Sequence, residues 1–174
     1  GGVLSCIKHM PGHGRADTDS HLALPRVAAG LNELGQDFAP FRALARAPMA
    51  MTAHEVYAAI DPDLPATWSR KVINLIRNDI GFGGLLASDD LDMKALTGPL
   101  HQRAERAIAA GCDLVHHCTG VVAEMAEVTA GAPLLAGPAA DRAAAAQAIG
   151  QKPPEAFDPV FGEWRWRQLL ALIP

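Results

Sequence analysis

Four short apolar runs, each ending in polar or charged residues, constrain the fold of this chain more than any other feature. They cover residues 3–9, 48–54, 84–89 and 113–118. Such runs are typical of buried strands. Segments of helical composition separate them, at 25–34, 65–79 and 101–110. Because strands that alternate with helices favour parallel βαβ units, we predict an α/β fold with the polar strand ends at one edge of the sheet.

The remaining sequence predicts more helices. Thr67 is a candidate N-cap for the segment that continues to residue 79. After Gly120 the chain is rich in alanine, and we predict helices at 121–129, 138–149 and 154–172. Trp164 and Trp166 in the last of these are predicted to pack it onto the body of the protein, because tryptophan contributes a large buried area.

Composition excludes several functional classes. The 15 Lys and Arg residues against 19 Asp and Glu give a net charge of −4, and no basic stripe suits a phosphate backbone, so no nucleic acid partner is expected. No apolar run reaches the roughly 18 residues of a membrane span. Cys6, Cys112 and Cys118 form no C-x-x-C pair, so we predict reduced thiols. We also predict a cytoplasmic location and no membrane partner.

The first candidate for chemistry is the loop that follows the first run. Residues 8–14 read KHMPGHG, and residues 19–21 read DSH. An aspartate two residues from a histidine can accept its Nδ1 proton and stabilise the imidazolium. The Asp19–His21 pair is therefore a candidate for general acid/base catalysis.

The second candidate is SDDLDM at residues 88–93, where the third run ends. Asp89 is predicted to lie where a strand meets the next helix, and a helix N-terminus would favour its anionic form. Serine and aspartate also cap helices, which is our interpretation of Asp90 and Asp92.

In this order and spacing, KHMPGHG, DSH and SDDLDM resemble family 3 glycoside hydrolases of the bacterial β-N-acetylglucosaminidase type, which recycle peptidoglycan. MTAH at 51–54 and GCDLV at 111–115 extend the resemblance. It implies a TIM (β/α)8 barrel, of which residues 1–174 would supply about the later four βα units and C-terminal helices as one partial catalytic domain. It also implies no cofactor and a muropeptide substrate that contains GlcNAc.

The resemblance assigns roles to individual residues. It implies that Asp89 is the nucleophile, His21 the acid/base and Asp19 its partner. It implies that Lys8 and His9 hold the substrate sugar.

Two further residues, His54 and Met51, are predicted to line the same cavity, where packing and substrate binding are equally consistent with the sequence. The sugar-binding arginine and aspartate that such enzymes carry in the first half of the barrel have no counterpart here. Half a barrel also exposes two sheet edges and an apolar face. Since the sequence opens on Gly1 without a methionine, we expect the N-terminal half upstream, or a partner chain that covers the half barrel.

Two alternatives remain open at this stage. One is a metal-dependent hydrolase on the same barrel, and the other is a truncated domain that binds sugar without turnover. The metal ligands in the first alternative would be His9, His13, Asp19, His21 and Asp89. No metal site is predicted at His116 and His117, because adjacent residues on a strand point to opposite faces.

Overall fold

The computed structural model describes residues 3–153 and 156–172. A four-stranded parallel sheet lies at its centre, and a two-stranded parallel ribbon lies beside it. The strands are β1 (Cys6–Met10), β2 (Arg26–Val27), β3 (Met49–Thr52), β4 (Val56–Tyr57), β5 (Leu85–Asp90) and β6 (Leu114–His116). The helices are α1 (Leu31–Ala43), α2 (Arg70–Asn74), α3 (Leu100–Ala110), α4 (Val122–Gly131), α5 (Gly137–Gly150) and α6 (Pro159–Leu170).

The central sheet has the order β1-β3-β5-β6, which confirms the four predicted strands and the predicted α/β class. Strand β5 is buried along its first four residues, on both faces, as is usual for a parallel strand. Its neighbours hold it in register, with Met49 opposite Leu85 and Ala87 opposite Leu114. All four strands run in the same direction, so their carboxyl ends lie at one edge of the sheet.

Helices cover one face of this sheet. Ala50 and Leu86 belong to the hydrophobic core, and Ile7 and Val115 pack against it. Cys6 precedes Ile7 on β1, so its side chain points to the opposite face of the sheet, and it is exposed. Where the structure describes the chain, the opposite face of the sheet is therefore open at the edge strand β1 and closed at the inner strand β5.

The helix predicted at 25–34 is wrong. Residues 26 and 27 form β2, which pairs with β4, and the backbone carbonyl of Pro25 accepts a hydrogen bond from Val56 at 3.0 Å. Helix α1 begins only at Leu31, where Glu33 caps the preceding amide of Gly30. Neither β2 nor β4 was predicted, because a two-residue strand carries no periodic pattern and depends on its partner.

The helical segment at 65–79 exists, but Thr67 does not cap it. A 3₁₀ turn (Ala66–Trp68) precedes α2, and the segment ends in a π-helical turn (Leu75–Asp79). The N-cap is Ser69, whose Oγ accepts a hydrogen bond from the Val72 amide at 3.2 Å. Thr67 is fully buried and has a different role, described below.

Helix α3 is the helix predicted at 101–110. It buries Leu100, Ala104 and Ala107 at helical spacing and ends at Gly111, whose φ of 120° lies in the region that favours glycine. Helix α5 is held to the sheet by Arg142, which makes two hydrogen bonds to Asp113, at 2.6 and 2.9 Å.

The prediction that Trp164 and Trp166 pack the last helix onto the body is wrong. Their exposed fractions are 56% and 60%, and α6 buries no residue. Of the helix predicted at 154–172, residues 154 and 155 lie outside the described residues. None of the described helices is long and apolar enough to span a lipid bilayer.

Candidate active site

Asp89 and His9 meet at the carboxyl-end edge of the sheet. Asp89 lies near the end of β5 and His9 near the end of β1, with β3 between them. The Nε2 atom of His9 is 3.3 Å from Oδ2 of Asp89, and both side chains are mostly buried. Burial lowers the pKa of His9, and the charge of Asp89 opposes this shift. A neutral His9 leaves Asp89 without a full compensating positive charge.

The predicted helix start next to Asp89 is wrong. The next helix of the chain, α3, begins only at Leu100 and does not start beside Asp89. Oδ1 of Asp89 instead accepts a hydrogen bond from the Asp90 amide at 2.9 Å. Asp90 itself shapes the following turn, because its Oδ1 accepts hydrogen bonds from the amides of Asp92 and Cys118.

His54 lies behind the strand ends and is fully buried. Its Nε2 is 2.9 Å from the Asp90 carbonyl oxygen, and its Nδ1 is 2.7 Å from Oγ1 of Thr67. Burial lowers the pKa of His54, so the ring is neutral and carries one proton. Because a carbonyl only accepts, Nε2 must donate to Asp90, and Nδ1 must accept from the Thr67 hydroxyl.

The sequence is equally consistent with packing and with substrate binding for His54, and this geometry favours packing, because both ring nitrogens have protein partners. His54 fixes the backbone immediately after Asp89. Thr67 is held in turn by Thr52, whose Oγ1 is 2.8 Å away. The three side chains form a buried polar chain that ends on the strand carrying Asp89.

The Asp19–His21 pair lies on an exposed loop. Oδ1 of Asp19 is 2.8 Å from Nδ1 of His21 and also accepts a hydrogen bond from the His21 amide at 2.9 Å. These two contacts hold the pKa of Asp19 below its usual range. The side chains are 58% and 74% exposed, so the imidazole of His21 faces solvent with its Nδ1 proton fixed.

Backbone hydrogen bonds join this loop to the loop that follows Asp89. The amide of Lys94 donates to the carbonyl of His21 at 3.3 Å, and the amide of Ala95 donates to the carbonyl of Ser20 at 3.2 Å. Arg103 from α3 supports the same loop by donating to the Leu91 carbonyl at 2.6 Å. The two candidate segments, remote in sequence, therefore lie side by side.

The other predicted residues occupy the same end of the sheet. Lys8 is exposed and Met51 is partly exposed, on adjacent strands. The ring of His13 packs edge-to-face against His9, with 5.7 Å between centroids. The structure brings His9 and Asp89 together, and it brings the Asp19–His21 loop to the segment after Asp89. It places His54 behind them.

Sequence reasoning missed three supporting residues, Thr67, Arg103 and Glu55. Thr67 was interpreted as a helix cap, and Arg103 lies in a helix whose pattern reports only its buried face. Glu55 directly follows the MTAH segment and is fully buried. A charged residue in a segment that is otherwise buried indicates a buried polar contact, but the sequence does not identify the partner.

Among residues 3–153 and 156–172, no three His, Cys, Asp or Glu side chains are arranged to hold a metal ion. The His117 ring lies 3.1 Å from Glu124 through Nε2, and Thr119 contacts the same nitrogen. The site combines the Asp89 carboxylate beside the neutral His9 ring with the His21 imidazole and its partner Asp19. These groups are suited to nucleophilic attack and proton transfer.

The sequence profile of the family described as "Glycosyl hydrolase family 3 N terminal domain" matches residues 1–140. A β-hexosaminidase of Alkalilimnicola ehrlichii is 49% identical over 123 residues, which cover 67% of this chain and 35% of the relative. A β-hexosaminidase of Neisseria meningitidis serogroup C is 45% identical over 124 residues, which cover 68% of this chain and 34% of the relative. The chain thus spans about a third of the length of these curated relatives.

Solved structures give the same picture. A glycoside hydrolase family 3 β-N-acetylglucosaminidase from a Paenibacillus species superposes with a TM-score of 0.78 at 30% identity, covering 91% of this chain and 34% of that one. Native NagZ from Neisseria gonorrhoeae superposes with a TM-score of 0.69 at 37% identity, covering 87% of this chain and 47% of that one.

Proposed function

Because the chain belongs to glycoside hydrolase family 3, we propose that it carries the reacting groups of a retaining exo-β-N-acetylglucosaminidase. Asp89 is the nucleophile, His21 is the general acid/base and Asp19 orients His21. The predicted barrel is confirmed as a TIM-barrel-like α/β fold, since the structural neighbours are barrel domains of this family. The names of the relatives, β-hexosaminidase and β-N-acetylglucosaminidase, support the activity.

In the first step the Asp89 carboxylate attacks the anomeric carbon of the sugar. The bond from that carbon to the leaving oxygen breaks, and protonated His21 gives its Nε2 proton to this oxygen. The products are a glycosyl ester on Asp89 and a free alcohol. His9 orients Oδ2 of Asp89 at 3.3 Å. Because burial lowers the pKa of His9, the neutral ring leaves the carboxylate nucleophilic.

In the second step His21, now neutral, takes a proton from water. The water oxygen attacks the anomeric carbon, and the bond to Asp89 breaks. Two displacements at the same carbon retain its configuration. Asp19 accepts the Nδ1 proton of His21 throughout, which keeps Nε2 available for both proton transfers.

One observation carries this proposal: the backbone hydrogen bonds that join Ser20 and His21 to the loop after Asp89. They support a single site, because the acid/base and the nucleophile must act on one glycosidic bond. The high exposure of His21 supports a loop that closes over the bound sugar and then carries the imidazole to the leaving oxygen.

We propose muropeptides that end in GlcNAc as the substrate class, with Lys8 donating hydrogen bonds to the sugar and the free ring nitrogen of neutral His9 accepting one. The exposed position of Lys8 on β1, next to His9, supports this assignment. The aglycone and the need for the N-terminal half of the barrel, or for a covering partner, stay predictions, as does the cytoplasmic location.

The test is to trap the intermediate. The protein is incubated with an activated 5-fluoro derivative of N-acetylglucosamine, which slows the second step, and its peptides are mapped by mass spectrometry. We expect one sugar adduct, on the peptide that contains Asp89, in the unmodified protein and in Asp90→Asn but not in Asp89→Asn. An adduct that persists in Asp89→Asn would overturn the assignment of the nucleophile.

The same assay separates the alternatives. Hydrolysis of an aryl β-N-acetylglucosaminide that continues in the presence of a chelator agrees with the proposal. Loss of hydrolysis with a chelator, restored by added metal, would favour the metal-dependent hydrolase. Binding of the glycoside without release of the aryl alcohol would favour a domain that only binds sugar.

A further inference from the structure

Glu55 is an unexpected carboxylate beneath the loop that carries the Asp19–His21 pair. Its side chain is 0% exposed, and its Oε1 has no hydrogen-bond partner among the described residues. A buried charged group that lacks a partner is costly, so its presence calls for a compensating contact. The proposed mechanism does not use Glu55.

The other carboxylate oxygen of Glu55 contacts the first part of the loop. Oε2 is 3.4 Å from Nδ1 of His13. The opposite nitrogen of the same ring, Nε2, is 3.4 Å from Oγ of Ser20. His13 therefore connects a buried carboxylate to the residue that lies between Asp19 and His21.

Ser20 is the inward-facing residue of the Asp19–His21 segment. It is only 6% exposed, whereas its two neighbours are largely exposed. Its carbonyl accepts the hydrogen bond from Ala95. Ser20 thus anchors the segment on both sides, by its side chain to His13 and by its backbone to the loop after Asp89.

Tyr57 holds the start of the same loop. Its hydroxyl is 2.9 Å from the Gly12 carbonyl and 3.0 Å from Oε2 of Glu55. Gly12 passes so close to α1 that a Cβ there would lie 2.9 Å from the carbonyl oxygen of Asp37. The loop therefore starts at a closely packed position. Glu55 contacts Tyr57, which holds this position, and His13, which contacts Ser20.

We infer that Glu55 is a positioning residue for the acid/base pair, acting through His13 and Ser20. Glu55 holds the His13 ring, His13 holds the Ser20 hydroxyl, and Ser20 sets where Asp19 and His21 stand relative to Asp89. This role rests on the proposed function, because it concerns the residues that carry the proton in that reaction.

The charges around Glu55 are consistent with this role. Burial raises the pKa of its carboxyl, His13 and the Tyr57 hydroxyl oppose the rise, and Asp37 and Asp17 add to it. Asp37 is itself paired with Arg15 of the loop, at 2.5 Å. Glu55 directly contacts the His13 ring and the Tyr57 hydroxyl, and of these two it is His13 that contacts Ser20.

The first test does not need turnover. Amide hydrogen exchange of residues 15–21 is measured by mass spectrometry in the unmodified protein, Ser20→Ala and Glu55→Gln. Thr18→Ala is the matched control, since it removes an exposed hydroxyl from the same loop whose contact is the neighbouring Asp17. We expect exchange to become about 3- to 10-fold faster in Ser20→Ala and Glu55→Gln, the range for loss of one hydrogen bond, and unchanged in Thr18→Ala.

The second test separates positioning from general damage. We measure kcat/KM of the unmodified protein, Ser20→Ala and Glu55→Gln on two substrates. One is a dinitrophenyl glycoside, whose leaving group needs little protonation, and the other is an alkyl glycoside, whose leaving group needs a proton. Displacement of His21 should lower the value for the alkyl glycoside about 10-fold and leave the dinitrophenyl value within about 2-fold. A merely structural role would lower both values together.

These outcomes decide the inference. Equal exchange in Ser20→Ala, Glu55→Gln and Thr18→Ala would overturn it, and so would an equal loss on both glycosides. If Glu55→Gln does not fold, Ser20→Ala alone decides, because it removes one small hydroxyl. If the unmodified protein, assayed together with the predicted N-terminal half of the barrel, hydrolyses neither glycoside, the proposed function fails, whereas the exchange measurement still decides whether Glu55 and Ser20 hold the loop.

Discussion

The strand end that carries Asp89 and the loop that carries Asp19 and His21, the two parts of the candidate site, are built in opposite ways. Asp89 stands on a central strand, beside the mostly buried His9 and in front of the fully buried His54. Asp19 and His21 stand on an exposed loop, with a contact to each other and backbone contacts to the neighbouring loop.

This difference matches the two chemical tasks that we propose for these residues. A nucleophile must be held at a fixed place, because small displacements from the reacting carbon greatly slow the reaction. An acid/base group serves two steps and must meet first the leaving oxygen and then a water molecule. The rigid sheet edge supplies the first requirement, and an anchored but exposed loop supplies the second.

The largest expected effect is that of replacing Asp89, the proposed nucleophile on β5. Asp89→Asn should lower kcat/KM for an aryl β-N-acetylglucosaminide by about four orders of magnitude or more, because an amide does not form the covalent intermediate. Asp90→Asn is the matched control, since its Oδ1 still accepts the hydrogen bonds from the amides of Asp92 and Cys118. Substantial turnover by Asp89→Asn together with loss in Asp90→Asn would move the nucleophile by one residue.

The next effect tests the loop side. His21→Ala should lower kcat/KM for an alkyl glycoside by about 10²- to 10⁴-fold, the usual contribution of a general acid. The loss should be much smaller for a dinitrophenyl glycoside, whose leaving group needs no proton. Steady-state kinetics on both substrates check this, and equal losses would contradict the role of His21 as proton donor.

A third prediction concerns the support behind the strand ends. His54→Ala should lower the free energy of unfolding by about 2–4 kcal/mol, because it leaves a cavity and removes the partners of Thr67 and the Asp90 carbonyl. Denaturant unfolding measures the change. A loss below 0.5 kcal/mol, on the order of an ordinary surface substitution, would show that the buried polar chain adds little.

The pH dependence of the free energy of unfolding tests whether His54 is buried in its neutral form. Burial lowers the pKa of His54 in the folded protein, so the unfolded chain binds its proton at a higher pH than the folded protein does. The contribution of neutral His54 to stability is fully present above the unfolded pKa of about 6.5 and is lost as the pH falls through the lower folded pKa. Unfolding free energies from pH 8 to about 5 should therefore fall less steeply in His54→Gln than in the unmodified protein.

The smallest effect completes the comparison. His21→Ala should change the free energy of unfolding by less than about 0.5 kcal/mol, because its ring is 74% exposed. Thermal melting of this variant beside His54→Ala checks the difference. A large loss in His21→Ala would mean that the loop is part of the folded core, which would contradict its proposed mobility.

Much of the fold follows from local pattern. The four strands of the central sheet and helix α3 were predicted, because a buried strand or an amphipathic helix leaves a periodic record in the sequence. The prediction failed where the structure depends on distant partners. Strand β2 exists only because β4 pairs with it, and Thr67 turns to His54 and leaves the cap to Ser69.

The C-terminal tryptophans illustrate the opposite failure. Trp164 and Trp166 are apolar enough to predict burial, yet α6 buries neither of them. The residue type indicates how much a side chain would gain from burial. Whether the rest of the protein offers a surface to bury it depends on where the helix lies.

The sequence by itself determined the strand and helix alternation of the barrel, the identity of the family and the candidate residues for the chemistry, because these depend on neighbouring residues and short motifs. The tertiary structure decided that the Asp19–His21 loop lies beside the segment after Asp89, that both ring nitrogens of His54 contact protein groups, and that Glu55 lies beneath the loop. These depend on hydrogen bonds between residues 36 to 75 positions apart, and such contacts leave no periodic pattern in the chain.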